Sequence, residues 1–282
     1  MVALSKLKSR FLQIKNTEKI TKAMELISNA KIPKLRREFV QVSQYFTNLN
    51  EIFLSIIKKT TSINVFDLDT TKPRVFIVIT SDLGLCGAYN VNVVKKLKSL
   101  IKEEDRIIVI GKKGISYLSK FKNQIDLEFN VVDRADRLEI IFKVKEQIEK
   151  YLENKQISGI EIIYTQFINT LTFNAINFTL LPIDKNIEQQ KLEFKQNSKL
   201  EIEFEPSPES VLKNLIPIYF GAALNNFLFE SKISEIASRR IAMENASDNA
   251  NEIIDKLSIE LNRTRQASIT QEITEIVGSI LK

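Results

Sequence analysis

Histidine is absent from the 282 residues. That gap removes every His-based triad, His general base and His metal ligand in one step. The chain has one cysteine, Cys86, so no disulfide can close within it, and the composition suits a reducing compartment. No metal site and no cofactor is expected. No apolar run reaches the roughly 18 residues of a membrane span, and the opening Met1-Val2-Ala3-Leu4-Ser5-Lys6 lacks the apolar core of a signal peptide. Glycine is scarce too: there are seven, and none precedes Gly84.

What is present is a globular chain, 44% hydrophobic and long enough for one or two domains, with its charge unevenly placed. Residues 1–38 hold ten Lys or Arg against Glu18, Glu25 and Glu38, a balance of +7 where the whole chain carries +6. A basic helix could touch nucleic acid, but the interleaved aromatics that stack on bases are missing, so a solvated helix face is the reading kept.

From Leu4 to Ile56 a seam alternates by three and four residues. Leu4, Leu7, Phe11 and Ile14 stand at one end and Ile32, Leu35, Phe39, Val42, Phe46, Leu49, Phe53 and Ile56 at the other, with Glu18, Thr21, Glu25 and Ser28 between them. This is a heptad pattern, and it predicts a helix over about residues 2–58, kinked at Pro33. Ser207-Pro208-Glu209 is a helix start, and a second seam runs from Phe229 through Ile233, Ile236, Arg240, Met243, Ser247, Ala250, Ile254, Leu257, Leu261 and Thr264 to Ser268. Pro217 is expected to separate a short first helix from the long one. Helices of roughly 85 and 110 Å outrun any ordinary domain, so they must cover each other as an antiparallel coiled coil.

Between them, strand-like runs at 74–80, 105–110, 125–131, 159–167, 173–182 and 200–205 alternate with helical patterns at 89–102, 112–121 and 136–154. That order predicts an α/β fold with a mostly parallel, Rossmann-like sheet, in which 159–167 and 173–181 are antiparallel neighbours. The expected domains are therefore 1–60 (N-terminal helix), 73–206 (central α/β) and 207–282 (C-terminal helix), with 184–199 as a mobile loop.

The stretch SDLGLCGAYN, residues 81–90, follows the first strand and opens a helix, as a phosphate loop would. It contains neither G-x-x-x-x-G-K-[ST] nor G-x-G-x-x-G, and no Lys stands at the phosphate position. Its two glycines, three apart, meet the ordinary needs of a tight strand-to-helix turn, as do Gly111 and Gly114 after the second strand. Asp82 and Cys86 could in principle form a nucleophile pair, but no basic partner lowers the thiol pKa, so Cys86 reads as a small buried residue.

Ile14 to Leu26 (IKNTEKITKAMEL), Ile241 to Ala250 (IAMENASDNA) and Arg265 to Ile273 (RQASITQEI) resemble three signatures of the gamma subunit of F-type ATP synthases. Ser81 to Gly87 is similar to that family's central turn, and Glu205 to Glu209 to the start of its C-terminal helix. The resemblance spans the chain and implies a non-catalytic rotor shaft, standing inside a ring of alternating alpha and beta subunits. Its foot would meet the epsilon subunit and the membrane rotor ring, at the cytoplasmic face of the cell membrane as a peripheral part. Met24 with its neighbour Lys22, and Arg265 with Gln266, would face the beta-subunit loops. Leu83 departs from a usual Arg, Ile236 from a polar residue that is often His, and Arg240 from a usual Met; Pro33 is unexpected. A relative rewired to another mechanical output, a passive coiled-coil scaffold, or a nucleotide-dependent α/β enzyme with helical arms are the other readings. Co-purification with a hexameric ATPase, or nucleotide binding by the isolated chain, separates them.

Two geometric expectations follow. If the helices leave the central domain near 58 and 209, Arg240 falls opposite about position 27, which predicts an interhelical Arg240–Glu25 pair fixing the register. Met1 then falls opposite about 266, leaving Ile269, Ile273, Ile276 and Ile280 on one face of a protruding helix. The resemblance supplies a cover for that stripe, the apolar sleeve at the top of the alpha–beta ring, making it a bearing tip.

Overall fold

The computed structural model describes residues 2–59, 69, 71–130, 134–182, 205 and 207–280. Most of the run expected as a strand at 200–205, and the loop expected at 184–199, lie outside the described residues.

The elements in chain order are α1 (Val2–Lys59), β1 (Arg74–Ile79), α2 (Tyr89–Lys98), β2 (Arg106–Ile110), α3 (Lys112–Tyr117), a 3-10 turn (Ser119–Gln124), β3 (Ile125–Phe129), α4 (Arg134–Glu153), β4 (Gly159–Phe167), β5 (Phe173–Leu181) and α5 (Pro208–Ile280). The chain packs as two compact units, residues 32–238 and residues 1–31 with 239–282.

The unit of residues 32–238 is built on a five-stranded sheet of order β3-β2-β1-β4-β5, parallel except for β5, which pairs antiparallel with β4. β1 shows why the fold holds. Its residues 75–79 are all buried, as expected of a central strand covered on both faces. Successive side chains point to opposite faces: Val75, Ile77 and Ile79 join α1, α4 and α5 in one core, while Phe76 and Val78 join α2 in the other. Arg74, at the entrance to β1, binds Asp105 at 3.1 Å and Glu161 at 2.8 Å, tying the start of β1 to β4 and to the loop before β2.

In this unit α1 and α5 are antiparallel: Phe53 stacks on Tyr219 at 4.1 Å between ring centroids, and Phe46, two turns earlier in α1, meets Phe227, two turns later in α5. Tyr219 donates to Asn50 Oδ1 at 2.9 Å. The helix expected to break at Pro217 does not; α5 is continuous through it. Proline costs a helix one hydrogen bond and about 3 kcal/mol, but here Leu215, Ile216, Tyr219 and Phe220 are all packed into the core around it. α1 likewise runs on through Pro33.

In the unit of residues 1–31 and 239–282, the predicted seam positions are all turned away from solvent, from Leu4 through Thr21 and Ser28 on α1 and from Arg240 through Ser247 and Leu257 to Ser268 on α5. Ser247 donates to Thr21 Oγ1 at 2.8 Å, both hydroxyls being buried. No helix among the described residues is long and apolar enough to cross a membrane, and no cluster there could hold a metal.

Candidate functional site

In open α/β sheets, ligands settle at the carboxyl ends of the strands where the strand order reverses. Here that point lies between β1 and β4, and the turn of residues 81–88 forms one side of it. The turn is closed on itself. Ser81 N donates to Asn90 Oδ1 at 3.0 Å, Asn90 Nδ2 donates to Ser81 Oγ at 2.8 Å, and Lys113 N donates to Ser81 O at 3.0 Å. Lys112 N donates to Asp82 Oδ1 at 3.1 Å, so Asp82 caps backbone rather than activating a nucleophile. Cys86 is buried, as expected. Gly111, at φ 109°, lies so near β1 that a Cβ there would come within 2.4 Å of Thr80 O, which makes this glycine a close-packing device. Leu85 holds φ 62°, a strained value for a leucine.

The crevice itself is filled by α5. Tyr89 Oη donates to Ser231 O at 3.1 Å, Thr165 N to Ser231 Oγ at 3.4 Å, Ser234 Oγ to Thr165 O at 3.1 Å and Ser238 Oγ to Cys86 O at 2.8 Å. Phe167 N donates to Glu230 Oε1 at 3.1 Å. Burial pushes the Glu230 carboxyl up to about 7, against the smaller opposing pull of the Phe167 amide and the Tyr164 hydroxyl. Burial likewise drives the Tyr89 and Tyr164 hydroxyls far above the ordinary tyrosine range. A phosphate at the start of α2 would have to displace this helix. None of these four α5 residues was singled out by sequence; the available signal was three serines spaced three and four apart, on one face of the helix.

The residues that the resemblance singled out lie on α1 and α5. Lys22 is exposed and binds Glu25 at 3.0 Å; that bond, and then the charges of Asp248 and Glu244 on α5, raise its pKa. Met24 is half-buried, and Arg265 and Gln266 are exposed. Counting from the Thr21–Ser247 bond, Met24 is level with Glu244, so some thirty ångströms of α5 separate it from Arg265. The two pairs stand apart rather than in one cluster. The expected Arg240–Glu25 pair is not formed. By the same count Arg240 is level with Ser28, and its guanidinium turns along its own helix to Glu244 at 2.9 Å, while Glu25 is taken by Lys22. The assumed exit points were one residue out, and a half-exposed i,i+4 pair avoids burying two charges in the seam. Ile269, Ile273 and Ile276 are 48%, 57% and 59% exposed; the Ile280 side chain lies outside the described residues.

A sequence model described as ATP synthase matches residues 3–280. The chain belongs to the ATP synthase gamma family. The ATP synthase gamma chain of Mycoplasma mobile is 41% identical over 287 residues, covering 99% of this chain and 98% of the relative, and that of Mycoplasmopsis pulmonis is 41% identical over 282 residues, 99% of this chain and 100% of the relative. Among solved structures, the central stalk and c-ring of the Tetrahymena thermophila mitochondrial ATP synthase contain a chain 26% identical with a TM-score of 0.61, covering 81% of this chain and 99% of that one. As a gamma chain it is the central rotor shaft of an F-type ATP synthase and a non-catalytic subunit of that complex. The crevice that a nucleotide enzyme would use holds part of the shaft instead.

Proposed function

We propose that this gamma chain turns inside a ring of alternating alpha and beta subunits, with the α/β domain as the foot that meets the epsilon subunit and the membrane rotor ring at the cytoplasmic face of the cell membrane. Met24 and Lys22 on α1, and Arg265 and Gln266 on α5, are the contacts for the beta-subunit loops. Ile269, Ile273, Ile276 and Ile280 form an apolar bearing that rides in the upper part of the ring.

One observation carries the bearing: the seam positions of α5 are shielded as far as Ser268, and Ile269, Ile273 and Ile276 beyond it are about half exposed or more. An apolar stripe on a single helix in water is a surface awaiting a partner. Deleting the final dozen residues should weaken assembly of the complex or lower its torque while leaving some rotation-linked ATP hydrolysis. Full order and protease resistance to Lys282 in the isolated monomer would overturn the bearing.

A further inference from the structure

Glu230, Ser231, Ser234 and Ser238 lie on the last turns of α5 inside the compact unit of residues 32–238, just before the helix continues past residue 238. The preceding stretch grips the sheet through apolar side chains, Tyr219, Phe220, Leu224, Phe227 and Leu228 among them. Apolar contact is non-directional. Hydrogen bonds weaken steeply when their angle is spoiled, and here each of the four polar side chains ends on one main-chain atom of a fixed element: Thr165 N, Thr165 O, Cys86 O or Phe167 N. Serine is a poorer helix former than alanine, so packing alone would favour alanine at these buried positions. What the hydroxyls add is an angular constraint.

We infer that these four residues are the torque joint of the shaft: positioning residues that fix the rotation of α5 about its own axis against the end of β4 and the turn that follows β1, so that twist in the helix is delivered to the α/β domain. The inference rests on the shaft reading above. Its test uses the complete ATP synthase in sealed vesicles, with ATP hydrolysis and a potential-sensitive dye read together, since the dye reports charge movement whichever ion is carried. Ser231→Ala, Ser234→Ala and Ser238→Ala combined should leave hydrolysis close to wild type and lower the charge moved per ATP several-fold, because the three side-chain bonds to Thr165 N, Thr165 O and Cys86 O are gone. An unchanged ratio would overturn the joint. If the triple variant does not assemble, Ser238→Ala alone, which leaves the apolar grip in place, must still lower the ratio; equality with wild type sinks the inference. Failure of the shaft reading looks different: the unmodified complex would then hydrolyse ATP and generate no potential.

Discussion

Glu230 shows how one buried carboxyl ties stability to pH. Its folded pKa of about 7 stands above the ordinary carboxylate value of 4.5. Below 4.5 both folded and unfolded forms hold the proton and nothing is lost. Between 4.5 and 7 the unfolded chain gives it up while the folded chain keeps it, so stability falls as pH rises, by about 3 kcal/mol across the window. Glu230→Gln keeps an acceptor for the Phe167 amide and removes the charge. Its denaturation midpoint should match wild type at pH 4 and exceed it at pH 8; parallel curves at both values would contradict this. Arg240 teaches the complementary lesson. A long cation at a seam position reads as a candidate for a cross-helix pair, yet flexibility lets it find Glu244 on its own helix.

At the scale of elements, the seams of α1 and α5 were legible because a 3.6-residue period is a local property that many side chains repeat. The strands and crossover helices of the middle were legible for the same reason, to within a few residues at their ends. Contacts that join distant parts of the chain leave no such trace. Ser238 reaches a carbonyl 152 positions away and Ser247 a hydroxyl 226 away, and a serine looks the same in sequence whether it faces water or a strand end. The Thr21–Ser247 bond should set the register of the coil in place of the ion pair sequence suggested. Thr21→Val alone should destabilise by about 1–2 kcal/mol, leaving a buried serine hydroxyl short of its partner, whereas adding Ser247→Ala should recover part of that loss. Ile14→Cys with Ile254→Cys, level with each other by the same count, should cross-link on oxidation, and less cleanly once both hydroxyls are gone. Equal yields in the two backgrounds would deny the bond its role in register.

For the whole molecule, the position of α5 in the crevice predicts that the isolated chain neither binds ATP tightly nor hydrolyses it. Calorimetry at micromolar concentrations should give no stoichiometric heat, and a saturable signal there would contradict the packing of residues 230–238. Sequence reached the same expectation by another route, from the missing phosphate loop, but it could not show what fills the space. The composition of the smaller compact unit also has a consequence in time. Residues 1–31 share it with residues 239–282, so residues 1–31 leave the ribosome about two hundred residues before their partner exists. At 5–20 residues per second this is on the order of 10–40 s. Throughout that interval Leu4, Leu7, Phe11 and Ile14 have no seam to enter. The strongly basic surroundings of those residues, +7 over the first 38, then act as insurance against self-association of nascent chains, since like-charged helices repel before their apolar faces can meet.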